Sequence, residues 1–221
     1  MADAVQGVDG GDAARAGGLT VVDHPLAGHL LADLRDAATE PERFRFAARR
    51  LATVLVLEAT RDLPITPGTV TTPLQAAPVR RIDGGVVAVP ILRAGLGMLE
   101  AVTDLLPEVA VGYVGLERDE TTLQPTSYYL KVPALEGRPV LLLDPMLATG
   151  GSATFACDLL KQRGATRLRL VCVVAAPEGV RRLQEAHPEV GIVTAALDDA
   201  LNDVGYITPG LGDFGDRLFG T

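Results

Sequence analysis

Cysteine is scarce in this chain. Cys157 and Cys172 are the only two, and they do not share a Cys-x-x-Cys spacing. Neither a disulfide framework nor a redox pair is expected, and both read as reduced core residues. Histidine is nearly as rare: His24, His29 and His187 form no metal-ligating constellation with the cysteines. Basic residues are outnumbered, 20 Lys and Arg against 28 Asp and Glu, for a formal charge of −8. That balance argues against a nucleic-acid partner, which needs a basic face, while leaving room for a local basic pocket. No apolar run is long enough to span a membrane. The N-terminus has neither the basic start nor the apolar core of a signal peptide, so a cytoplasmic location is expected. Internal repeats are also lacking.

What is present suits one globular domain. The chain has 221 residues, 48% hydrophobic and 22% charged. Met1 to Gly18, rich in Gly, Ala and Asp, reads as a flexible tail, and residues 19–221 as the domain. The rest is organised around Val140-Leu141-Leu142-Leu143-Asp144-Pro145-Met146-Leu147-Ala148-Thr149-Gly150-Gly151-Ser152. The apolar run predicts a buried parallel strand, stopped at Asp144-Pro145 because proline has no N–H for the ladder. Phe155, Leu159 and Leu160 predict a helix over 153–163. A strand, a glycine loop and a helix N-terminus together make an anion site. A carboxylate just before that loop suits the hydroxyls of a ribose phosphate. A ligand-free strand-to-helix turn is the alternative that these residues leave open.

Along the chain, helices are expected over 26–37 and from about 41 to 60. The second has Pro41 in its first turn and a Thr39-x-x-Glu42 capping box. Residues 64–82 read as a β-hairpin arm. Strands are expected over 86–92, 109–116, 140–143, 167–175 and 191–197, with helices over 98–106 and 178–186 between them. A hairpin is expected from 117–124 and 126–132. This alternation predicts an α/β fold with a parallel sheet flanked by helices, and ligands bound beyond the carboxyl ends of its strands. Arg93, at a strand end before Ala94 and Gly95, can grip a diphosphate in a fork, with a surface ion pair as its alternative. Lys131 reads as a solvated lysine. The segment from Gly205 to Arg217 looks too glycine-rich for helix or strand, yet it can present bare backbone to a flat ligand. Its Gly210-x-Gly212-x-x-Gly215 matches a dinucleotide fingerprint, but too little chain follows to build that unit. Composition and spacing stop at an α/β enzyme that binds a sugar phosphate.

Three motifs carry the reading further. Asp144 to Ser152 resembles the 5-phosphoribosyl-1-diphosphate (PRPP) loop of type I phosphoribosyltransferases, in the form of the uracil phosphoribosyltransferases. Most type I relatives have two adjacent acids where this chain has Asp144-Pro145. Val89-Pro90-Ile91-Leu92-Arg93-Ala94-Gly95-Leu96-Gly97-Met98 resembles that family's diphosphate loop. Gly205-Tyr206-Ile207-Thr208-Pro209-Gly210-Leu211-Gly212-Asp213-Phe214-Gly215-Asp216-Arg217 resembles its uracil-binding C-terminus, with Phe214 where the family usually has alanine.

The resemblance implies the reaction uracil + PRPP → UMP + diphosphate. It assigns PRPP to Arg93, Arg118, Asp144, Pro145, Met146, Leu147, Ala148, Thr149, Gly150, Gly151, Ser152 and Asp213. It assigns uracil to Ile207, Gly212, Asp213 and Phe214, and catalysis to Asp213, Arg93 and Arg118. Mg²⁺ is expected to be held mainly through PRPP. A GTP effector and a homodimer or larger homo-oligomer are further expectations of the resemblance. Asp213 is either a base or an ordering group. The ring of Phe214 either avoids the base pocket or narrows it. An RNA-binding regulator on the same fold, or an enzyme for another base, are the alternatives.

Overall fold

The structure, a computed structural model, describes residues 18–118 and 125–221, without the side chains of Arg118 and Pro125. The expected tail, apart from Gly18, and the tip of the 117–132 hairpin lie outside that range. In order, β1 (Leu19–Val21) leads into α1 (Pro25–Arg35) and α2 (Pro41–Ala59). Then come β2 (Ile65–Thr71), β3 (Ala76–Ile82), β4 (Val87–Leu92), α3 (Leu96–Leu105), β5 (Ala110–Val111), β6 (Tyr113–Arg118) and β7 (Pro125–Lys131). β8 (Pro139–Leu143), β9 (Met146–Leu147), α4 (Gly151–Gln162), β10 (Arg167–Ala175), α5 (Pro177–Ala186) and β11 (Gly191–Leu197) follow. β12 (Ala200–Leu201), β13 (Ile207–Thr208) and α6 (Phe214–Phe219) end the chain.

The main sheet has the order β1-β11-β10-β8-β4-β6-β7, with β5 added to β4 and β9 to β10. Its pairs are parallel except β6–β7. This is the α/β architecture that the alternating pattern predicts. A parallel sheet must be covered on both faces, and the two-residue period of a strand sorts its side chains accordingly. Leu141 and Leu143 of β8, with Val171 and Val173 of β10, pack in one cluster with residues of α1, α2 and α3. Val140, Leu142, Leu170 and Cys172 point the other way, into a cluster with α4 and α5. Cys157 lies in that second cluster, and burial pushes both thiols up to about 12. Among the described residues, no helix is long and apolar enough to cross a membrane.

Several local expectations are corrected. The helix from Pro41 forms, but Glu40 is its N-cap and no side chain caps it. The Thr39–Glu42 box is therefore not made; the Thr39 N–H donates to Asp36 O at 3.1 Å instead. The single strand expected over 109–116 is split at Gly112, whose N–H donates to Ala88 O at 2.9 Å. After Asp144-Pro145 the strand resumes as β9, because the Pro145 carbonyl accepts from both Val173 and Val174 and keeps the chain against β10.

The glycine-rich tail is not devoid of regular structure either. β13 pairs with β12, and α6 forms because Asp213 caps it by accepting from the Asp216 N–H at 2.9 Å. Gly220, in the left-handed region, ends it.

Candidate active site

The carboxyl end of β8 delivers Asp144, and the loop after β9 delivers the glycines. Gly150 is the N-cap of α4 at φ 76°, a conformation that suits glycine, and it has no side-chain cap. A Cβ there would stand 2.8 Å from the carbonyl oxygen of Gly179, so α5 presses directly on the loop. The first N–H groups of an α-helix have no intrahelical partner, and here the helical bonds begin at Thr154, which donates to Gly150 O at 2.9 Å. The Gly151 N–H faces Thr149 Oγ1 at 3.5 Å, a long contact. Unspent donors and the helix dipole therefore meet at one place.

The opposite wall is the C-terminal tail, and remote side chains position it. Asp198, directly after β11, has a side chain only 3% exposed and pairs with Arg35 at 2.5 Å. The same carboxylate accepts from the Gly210 N–H at 2.9 Å, and Arg35 donates to Gly210 O at 2.7 Å. Arg217 reaches back to donate to Leu211 O at 2.7 Å and Asp36 O at 2.5 Å. Phe214 is 1% exposed, and its ring meets Phe44 of α2 edge-on with centroids 5.2 Å apart. The ring is thus committed to the core, and the backbone of this stretch is left to face the opening.

Between the walls lies a cavity of about 500 Å³. Asp144, the stretch Met146 to Ser152, Ile207 and Gly212 to Phe214 all line it, so both predicted half-sites open onto one space. Asp144 is half-buried there, and burial pushes its carboxyl up to about 7, opposed by a hydrogen bond from the Met146 backbone. Pro145 is buried and tied into the sheet rather than lining the cavity. Arg93 stands exposed beside the cavity, its guanidinium 5.8 Å from the centre of the Phe219 ring, while its neighbour Ala94 forms part of the wall. Arg118 ends β6, and its side chain lies outside the description. Val204, to which the sequence assigned no role, also lines the cavity, together with Gly205 and Tyr206 at the start of the base-binding segment. Among the described residues, no three His, Cys, Asp or Glu side chains group as metal ligands.

A profile of the uracil phosphoribosyltransferase family matches residues 21–221. The chain belongs to the uracil phosphoribosyltransferase family. A uracil phosphoribosyltransferase of Ligilactobacillus salivarius is 51% identical over 207 residues, 93% of this chain and 99% of its own length. One from Latilactobacillus sakei is 53% identical over 204 residues, 91% and 98% of the two chains. The solved structure of the AQ2163 protein from Aquifex aeolicus is 39% identical, with a TM-score of 0.87 over 91% of this chain and 97% of that one. The sequence reading of family, fold and enzyme class therefore holds.

Proposed function

We propose that this chain makes UMP and diphosphate from uracil and PRPP by using the two cavity walls as two half-sites. One observation carries the reading: an uncapped glycine-rich helix N-terminus and a backbone-lined tail face the same 500 Å³ space, with Asp144 from the first wall and Asp213 from the second in its lining. Thr149 to Ser152 hold the 5′-phosphate. Asp144 orients the ribose hydroxyls. Ile207 and the backbone from Gly212 to Phe214 hold uracil, and a fixed row of amide donors and acceptors selects one base pattern.

The reaction is a displacement at C1′ with oxocarbenium character. Uracil N1 forms the new bond to C1′ and loses its proton, and the bond from C1′ to diphosphate breaks. Arg93 and Arg118 stabilise the leaving charge. Bound Mg²⁺ would supply neutralisation of the diphosphate charge, held mainly through PRPP, with Arg93 and Arg118 as the chain's own contribution. The donor set suits that arrangement, since Asp144 and Asp213 line the cavity but no three carboxylate, His or Cys side chains among the described residues group as metal ligands. Asp213 accepts from the Asp216 N–H through Oδ1 and lines the same cavity, where it orders the base or accepts its proton.

The working form is a homo-oligomer. Its contact is the β2–β3 arm, a free ribbon with Ile65 and Ile82 exposed and Leu74 at its tip 94% exposed. A two-stranded ribbon alone is marginal in water and gains from a partner. A GTP effector belongs to the same proposal and is tested by turnover with and without it.

Product formation from PRPP and Mg²⁺ with uracil, cytosine, hypoxanthine and no base tests the reaction. UMP with uracil alone is expected; equal use of cytosine, or no turnover with uracil, would overturn it.

A further inference from the structure

Arg182 of α5 lies against the phosphate loop without being accounted for by it. Its Cβ is 3.3 Å from the place that a Cβ on Gly150 would take, so the root of the side chain is fixed at the loop. Its Nη1 is 3.4 Å from the corresponding place on Gly151, and Thr149 Oγ1 is 3.7 Å from that same point. The guanidinium, on an exposed side chain, and a phosphate-loop hydroxyl thus stand on the same side of the first turn of α4, at the rim of the loop rather than in the cavity lining.

The electrostatics are adverse as they stand. A cation beside a helix N-terminus opposes the dipole. The residue one turn back, Glu178, is where a helix would place a neutralising carboxylate. Glu178 is turned elsewhere and accepts from the Leu201 N–H at 3.4 Å. No carboxylate among the described residues pairs with Arg182. An anion in the loop would reverse the sign of the problem, because the dipole, the free N–H groups and the guanidinium would then all act on the same charge.

We infer that Arg182 is a substrate-binding residue of the 5′-phosphate subsite. It adds a side-chain cation to a loop that otherwise binds through backbone donors and hydroxyls. The inference rests on the function proposed above. It predicts that Arg182 discriminates phosphorylated from unphosphorylated ligands and has no part in choosing the base.

The test is equilibrium binding of UMP and of uridine to the full chain, with Arg182→Gln, Arg182→Lys and, as a control on the adjacent exposed side chain, Arg181→Gln. Arg182→Gln should weaken UMP about tenfold and leave uridine unchanged, the scale of one charge-assisted hydrogen bond at a partly exposed site. Arg182→Lys should recover part of the loss, and Arg181→Gln should match wild type. An unchanged UMP-to-uridine ratio in Arg182→Gln would overturn the inference. Equal weakening of both ligands would also overturn it, since that is the mark of a packing role.

Ribose 5-phosphate separates this from the parent reading. If wild type makes UMP but the ratio does not move, Arg182 falls and the function stands. If wild type makes no UMP, yet ribose 5-phosphate binding depends on Arg182, the base assignment falls and Arg182 stands. No phosphate-dependent binding at all would overturn both.

Discussion

The cavity wall proposed to meet the sugar phosphate is continuous in sequence, running from the end of β8 through the loop into α4. The wall proposed to meet the base is also one segment, but its shape is imposed from outside. Arg35 of α1, Asp198 after β11 and Phe44 of α2 hold the tail from Gly210 to Phe214 in place. The first wall presents helix-terminal donors that any phosphate satisfies. The second presents a backbone path whose curvature depends on side chains from three other elements. Charge recognition needs only a local turn, whereas base selection needs a shape that a local turn does not fix.

The largest effect that would break this contrast is at Phe214. Phe214→Ala removes a buried ring from the Phe44 contact, and a loss of about 3–5 kcal/mol in stability is expected by denaturant unfolding. The preference for uracil over cytosine should survive, because the ring faces the core. Loss of that preference would put the ring in the pocket.

Arg93→Ala comes next, with a fall of about a hundredfold in kcat/KM, the scale of one preorganised charge stabiliser. Near-wild-type turnover would leave Arg93 as a surface residue over Phe219.

Asp144 sharpens the phosphate side through pH. Its carboxyl is raised from 3.8 to about 7, so the folded chain holds this proton more tightly than the unfolded chain. The ligand-free protein should therefore lose stability as pH rises from about 4 to about 7, and the slope should flatten in Asp144→Asn. Ribose hydroxyls and Mg²⁺ favour the carboxylate, so PRPP binding just below pH 7 should release up to about one proton and tighten as pH rises. Calorimetry in buffers of different ionisation enthalpy reads that release. Its persistence in Asp144→Asn would assign it to another group.

The same contrast explains what the sequence made legible. Leu141 to Ser152 declares a strand, a stop, a glycine loop and a helix within a short span, and the structure places them so except that pairing resumes after Pro145 as β9. Arg35 carries no local sign of its role, since its partner Asp198 is 163 residues away. Phe214 showed as a departure from the family, but its direction depends on Phe44, which no neighbouring residue announces. Helix α6 was hidden by its glycines; its signals were the Asp213 cap and the Gly220 stop. The capping box failed the other way, a local pattern overruled when Glu40 became the N-cap.

The most direct test of the two-wall account is Asp198→Asn, which weakens the clamp on the base wall and touches nothing in the phosphate loop. KM for uracil should rise about tenfold, the scale of one lost charged hydrogen bond. PRPP affinity, measured without base, should stay at the wild-type value. Equal weakening of both ligands would contradict the account, because the two walls would then form one unit.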